Sequence, residues 1–153
     1  ILTISDGCSK GEREDKSGPA IQNMLENDKF TVTARMIVAD EKNAICEKLK
    51  ELCDRADIDI ILTTGGTGLG PRDVAPEATE AVCQKLVPGL AEIIRTKGWE
   101  KTKRAVLSRA IAGIRHNILI INLPGSQKGA TESLHIIKEL LPHAVHMMQG
   151  GGH

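Results

Sequence analysis

The stretch from Ile58 to Asp73 constrains the fold of this chain more than any other. An apolar run, Ile58 to Leu62, is broken only by Asp59 and empties into Thr63-Thr64-Gly65-Gly66-Thr67-Gly68-Leu69-Gly70-Pro71-Arg72-Asp73. So few polar residues predict a strand over Ile58–Thr64 with both faces covered, the habit of parallel sheets flanked by helices. The turn that follows carries four glycines and three threonines between Thr63 and Asp73. Backbone N–H groups there stand clear of bulky side chains, which is the chemistry of a phosphate-binding concavity. It is not a Walker A loop, and Gly66-Thr67-Gly68-Leu69-Gly70 runs into Pro71 instead of completing G-x-G-x-x-G. A tight strand-to-helix connection explains one or two glycines; four, beside Arg72 and Asp73, exceed its needs.

The rest of the chain alternates in the same manner. Strands are read at Ile1–Ser5, Thr31–Val38, Ala110–Ile114 and Ile118–Leu123, the last two around a turn at Arg115-His116-Asn117. Asp6–Ser17 reads as a polar loop. Pro19 suits a first helical turn, with Ile21, Met24 and Leu25 on one face. Further helices are read after Asp40 (Ile45, Leu49, Leu52, Cys53, Ala56), from Pro76-Glu77 to about Lys85, and over Leu90–Thr96. The last ones carry Leu134, Ile136, Ile137 and Leu141, then run from Pro142 to Met148. This alternation predicts a three-layer α/β/α domain with a mostly parallel, doubly wound sheet over residues 1–149, and a flexible tail at 150–153. Ligands of such sheets sit beyond the carboxyl ends of the strands. The loops from Asp6, from Gly65 to Asp73 and from Pro124 to Gly129 converge there.

Composition narrows the function. The 153 residues suit one domain, and Lys+Arg and Asp+Glu balance at 20 each, so no basic field gathers nucleic acid. One Phe, one Trp and no Tyr leave little to stack on bases. No apolar run approaches the ~20 residues of a membrane-spanning helix. Cys8, Cys46, Cys53 and Cys83 lack C-x-x-C spacing and read as reduced thiols of a cytoplasmic protein, Cys46 and Cys53 on one helix face. The chain opens inside a strand without Met, which reads as a trimmed or excised segment. His143 and His146 share a helix face without a third ligand, so zinc is not expected. No G-x-S-x-G elbow or Ser/His/Asp order supports a hydrolase.

Two aspartates stand out. Asp40 ends a strand and precedes a helix, so it can cap that helix, face a metal, or do both from one loop. Asp73 can cap the next helix, pair with Arg72, or join Asp40 around magnesium, which takes one or two carboxylates plus substrate phosphates. Lys128, in the turn Asn122-Leu123-Pro124-Gly125-Ser126-Gln127-Lys128-Gly129, is either a phosphate partner or a solvated surface lysine. Ser108-Arg109 is a weaker hint.

These blocks resemble the molybdenum-cofactor biosynthesis family. The resemblance rests on Thr63-Thr64-Gly65-Gly66-Thr67-Gly68, Pro71-Arg72-Asp73-Val74 and Pro76-Glu77-Ala78-Thr79. Ser5-Asp6 with Asp15-Lys16-Ser17-Gly18 is similar to the family's first loop. Leu107-Ser108-Arg109, Gly113-Ile114-Arg115 and Ile121-Asn122-Leu123-Pro124-Gly125-Ser126 with Lys128-Gly129 resemble its later blocks. The similarity is greatest to its molybdopterin adenylyltransferase branch, which includes gephyrin-like G domains. The resemblance implies transfer of AMP from ATP to the molybdopterin phosphate, with Mg²⁺ and release of pyrophosphate, by a homotrimer. It implies catalytic, metal-holding Asp40 and Asp73. Substrates are expected at Ser5, Asp6, Thr64, Gly65, Gly66, Thr67, Gly68, Ser108, Asn122, Pro124, Gly125, Ser126 and Lys128. A flanking molybdenum-insertion domain or partner protein is a further expectation. The alternative is a non-catalytic pterin-binding or trimeric scaffold domain of a larger gephyrin-like protein.

Overall fold

A computed structural model of the chain describes residues 1–28 and 30–151. Of the tail expected at 150–153, Gly152 and His153 lie outside the described residues. The elements are β1 (Leu2–Ile4), α1 (Asp6–Ser9), α2 (Ser17–Asn27), β2 (Met36–Val38), α3 (Lys42–Cys53), β3 (Ile60–Thr64) and α4 (Ala75–Val82). They continue as β4 (Lys85–Leu86), α5 (Pro88–Lys101), β5 (Ala112–Arg115), β6 (Ile118–Leu123), α6 (Gln127–Ile137) and α7 (Leu141–Met148). Short 3-10 turns occupy Lys103–Leu107 and Lys138–Leu140.

The six strands form one sheet in the order β2-β1-β3-β6-β5-β4. β1 runs parallel to β2 and β3, and β3 to β6. β5 runs against both its neighbours, as a hairpin with β6 and an edge pairing with β4. The chain steps outward from β1 to β2 through α2, then crosses back to place β3 on the other flank of β1. That reversal opens a crevice beyond the ends of β1 and β3, where ligands of doubly wound sheets bind.

Both faces of the central strands β1, β3 and β6 are buried, as the apolar run at Ile58–Leu62 requires. On one face Ile21 and Leu25 of α2, Leu90 and Ile94 of α5, Leu134 and Ile137 of α6 and Leu141 of α7 pack on Leu62, Leu119, Ile121 and Leu123. On the other, Ile45, Leu49 and Leu52 of α3 and Ala75, Ala78 and Val82 of α4 pack on Leu2, Ile4, Ile61, Ile118 and Ile120. Each large aliphatic so buried contributes about 1.5–3 kcal/mol. β6 shows the alternation: Leu119, Ile121 and Leu123 face one layer, Ile118 and Ile120 the other. No helix among the described residues is long and apolar enough to cross a membrane.

Several boundaries depart from expectation. The loop at Asp6–Ser17 contains the four-residue helix α1, started by Ser5, whose Oγ accepts from Cys8 N at 3.3 Å. Thr31–Val38 shortens to Met36–Val38, the three residues that pair with Leu2–Ile4 of the short β1. The helix expected to reach Lys85 ends at Val82, and Lys85–Leu86 pairs with Gly113 and Ile114 instead. α5 runs well past Thr96, to Lys101. Gly98 lies inside it where a Cβ would stand 2.8 Å from Ala105 Cβ, so this glycine lets the 3-10 turn fold back on the helix.

Candidate active site

The cleft at the reversal has a volume of about 850 Å³ and gathers the ends of β1, β2, β3 and β6. Ser5, Asp40, Thr64, Gly65, Gly66, Asp73, Gly125 and Ser126 all line it, together with Arg13, Asp15 and Lys16 from the first loop. A second cleft of about 440 Å³ adjoins it and shares Ser126. Thr67, Gly68, Ser108 and Pro124 line this one, with Leu69, Ile94 and Leu107 as its apolar part and Lys101 and Arg104 as its cations. A cavity of about 440 Å³ at the far end of the sheet, among Phe30, Leu52, Ile60 and Val145, lies away from every glycine loop.

The walls are fixed by short bonds between loops. Thr64, fully buried, donates from Oγ1 to the Pro124 carbonyl at 2.7 Å, tying the end of β3 to the end of β6. Gly65 has φ 106°, and a Cβ there would overlap the Ile4 carbonyl oxygen, so only glycine lets β1 and β3 diverge this tightly. Ser126 caps α6, its Oγ accepting from Gly129 N at 3.1 Å. The N-terminus of that 11-residue helix, at Gln127, therefore opens on the cleft, favouring anions there.

Neither aspartate serves as a helix cap. Glu41 and Val74 hold the positions before α3 and α4, without side-chain capping bonds. Asp40 is instead locked to the first loop: its Oδ2 accepts from Asp6 N at 2.7 Å, while its own N donates to Asp6 Oδ1 at 3.0 Å. Asp73 Oδ2 accepts from Gly70 N at 2.8 Å. Arg72 does not pair with Asp73; it grips Asp6, with Nη2 donating to Oδ2 at 2.8 Å. That guanidinium hydrogen bond holds the Asp6 carboxyl below the usual carboxylate range. The pair bridges the first loop and the Gly-rich loop.

The donor set suits magnesium arriving with a phosphorylated ligand. Oδ1 of Asp40 and Oδ1 of Asp73 accept no hydrogen bond among the described residues. Among the described residues no group of three or more His, Cys, Asp or Glu is placed to hold a metal unaided. Two carboxylates with open oxygens match a hard cation that keeps its remaining sites for water and phosphate.

The other expected site residues divide. Asn122 is fully buried and lines neither cleft. Its Nδ2 donates to Thr63 Oγ1 at 2.9 Å and Thr79 Oγ1 at 2.8 Å, and its Oδ1 accepts from Ile111 N, so every hydrogen-bonding group of its amide is used inside the fold. Lys128 is exposed on the first turn of α6 and lines neither cleft. Sequence reasoning misses Arg13, whose Nη2 donates to Ser5 Oγ at 2.9 Å, and gives little weight to Arg109. An arginine in a polar loop carries no local signal that it faces a cleft.

A doubly wound α/β domain with a Gly-rich loop and two carboxylates at its reversal point has the general form of a fold that binds its ligand beyond the strand ends. The chain belongs to the molybdenum-cofactor biosynthesis family: residues 1–143 match the model described as "probable molybdopterin binding domain". It is 43% identical to the molybdopterin adenylyltransferase of Helicobacter pylori over 98% of this chain and 86% of that enzyme. It is 44% identical to the molybdenum cofactor synthesis protein cinnamon of Drosophila melanogaster over 97% of its own length, which is a quarter (25%) of the Drosophila protein. The fold superposes on the molybdopterin biosynthesis enzyme MoaB of Thermus thermophilus with a TM-score of 0.92, at 49% identity, covering 98% of this chain and 94% of that one. MogA follows with a TM-score of 0.91, 38% identity and 97% of each chain covered.

Proposed function

We propose that this domain is a molybdopterin adenylyltransferase, transferring AMP from ATP to the molybdopterin phosphate and releasing pyrophosphate. The observation that supports it most is the placing of Asp40 and Asp73 in one cleft with the Gly-rich loop. The adenylyltransferases of the family, similar over nearly the whole chain, support the same reading. The carboxylate cleft suits the triphosphate of ATP. The adjoining cleft, with apolar Leu69, Ile94 and Leu107 beside Thr67 and Ser108, suits the pterin, and Ser126 marks where the two meet.

In the reaction a phosphate oxygen of molybdopterin bonds to the α-phosphorus of ATP. The bond from that phosphorus to the bridging oxygen of the β-phosphate breaks, and pyrophosphate leaves with the electron pair. Asp40 and Asp73 are the residues that would hold Mg²⁺, which when bound neutralises phosphate charge and makes the α-phosphorus more electrophilic. The chain itself aligns two anions that repel each other in water, a positional and electrostatic task. The α6 N-terminus, Lys16 and Arg13 face the carboxylate cleft and offset charge there; Lys101 and Arg104 do so in its neighbour.

Purified protein incubated with molybdopterin, ATP and Mg²⁺ should yield adenylylated pterin and pyrophosphate in equal amounts. Pterin binding without pyrophosphate release would overturn the enzyme reading in favour of a binding or scaffold domain, a reading that the much longer Drosophila relative keeps in view. The expected assembly is a homotrimer; light scattering should then give three times the chain mass.

A further inference from the structure

Arg109 is absorbed by none of the roles above, yet it touches the Gly-rich loop at both ends. Its backbone N donates to the Thr67 carbonyl at 2.9 Å. Its Nε donates to the Gly68 carbonyl at 2.7 Å. One terminal nitrogen donates to the carbonyl of Asp73 and the other to Glu77 Oε1 on α4. A single half-buried guanidinium therefore spans Gly68 to Asp73 like an axle, with the exposed Leu69 turned outward. The fork geometry is specific to arginine; a lysine ammonium is one point charge on a flexible stem.

These bonds fix which way the loop presents its N–H groups. In a trans peptide the N–H points opposite to the carbonyl of the same unit. The carbonyls of Gly66, Thr67 and Gly68 are held by Ala75 N, Arg109 N and Arg109 Nε respectively. The N–H groups of Thr67, Gly68 and Leu69 are accordingly directed away from those anchors. None of the three donates to a protein acceptor among the described residues. Asp73 is tied by its own carbonyl at the other end of the same clamp.

We propose that Arg109 is a positioning residue for phosphoryl transfer, clamping the loop so that its three unpaired N–H groups and the Asp73 carboxylate are presented together. It acts through the loop, without contacting substrate. The proposal rests on the adenylyltransferase reading for its kinetic consequence, but the clamp itself is testable without catalysis.

Two readouts on Arg109→Lys and Arg109→Gln test it, with Arg115→Gln as control. Arg115 is also half-buried and also holds a carbonyl, that of Val82, but lines neither cleft. In hydrogen exchange, both Arg109 variants should speed amide exchange across residues 66–74 at least about tenfold, as local opening predicts, while β3 and β6 stay protected. In turnover, kcat should fall about 10- to 100-fold, the scale on which small misplacements of reacting groups act, with KM for ATP within about threefold, since Thr67, Gly68 and Leu69 line the neighbouring cleft. Arg115→Gln should show neither effect. Unchanged exchange in the loop, exchange rising equally across the whole sheet, or Arg109→Lys with full kcat would each overturn the clamp. Should the unaltered protein make no adenylylated pterin, the enzyme reading falls while the exchange result still decides the clamp.

Discussion

At Asp73 the backbone around a carboxylate has been cleared to make room for it. A Cβ on Gly68 would stand 2.9 Å from Asp73 Oδ2 and one on Gly70 2.8 Å, while Gly70 N donates to that same oxygen. The glycines thus serve the aspartate as much as they serve a phosphate. Asp73→Asn keeps the shape and removes the charge. Turnover should fall roughly 10²–10³-fold, comparable to losing one preorganised electrostatic contact, with molybdopterin affinity nearly unchanged; full activity in a folded variant would remove Asp73 from the reaction. Asn122 makes the opposite case. Its motif places it at the site, but Asn122→Leu should act on stability alone. It strands two buried threonine hydroxyls, costing about 2–6 kcal/mol at roughly 1–3 per group, read as a lowered denaturation midpoint with KM values preserved in whatever stays folded. The apolar alternation along β6 puts Asn122 on the face of Ile118 and Ile120, so its inward direction is legible from the sequence pattern alone.

At the scale of elements, what the sequence makes legible tracks how local the cause is. β3 and β6 carry apolar runs, α3 and α6 carry helical periodicity, and all four lie within a few residues of their expected spans. β4 does not, because Lys85 and Leu86 are a strand only by pairing with Ile114 and Gly113. Gly113 admits that neighbour because it has no Cβ to meet Cys83. The caps are hard to read for a similar reason: an aspartate before a helix looks like a cap until its partner, Asp6 N, arrives from 34 residues away. Ser5 and Ser126 are the side-chain caps at the cleft, and Ser126 starts the longer helix. Ser126→Ala should cost about 1 kcal/mol through the first turn of α6. Because Ser126 lines both clefts, the same change should raise KM for ATP and for molybdopterin together. A rise for only one substrate would mean that the two clefts do not meet there.

Across the whole molecule, helices cover both faces of the sheet and the strand ends carry the chemistry, so stability and function occupy different regions and respond to pH differently. On the acid side, Arg72 and Arg109 lower the carboxyl pKa values of Asp6 and Glu77 by hydrogen bonding. These pairs contribute above the ordinary carboxylate range and are lost as pH falls toward their depressed values; both are exposed enough that the effect is small. The alkaline side is governed by the core. Burial pushes the thiols of Cys53 and Cys83 up from 9.0 to about 11, and each lies against the α3/α4 face of the sheet. Well below pH 9 both are neutral whether the chain is folded or not. Between about 9 and 11 the unfolded chain releases protons that the folded chain retains, so folding stability declines as pH rises through that window. Thermal midpoints measured from pH 7 to 11 at constant ionic strength should therefore drop beyond pH 9. Lysine titration adds to the drop, so the decisive quantity is the difference between the unaltered protein and Cys83→Ala. That variant should lose less stability between pH 9 and 11, whatever its midpoint at pH 7. Parallel alkaline limbs for the two proteins would show that the Cys83 thiol titrates alike folded and unfolded, and that water reaches the α3/α4 face of the core.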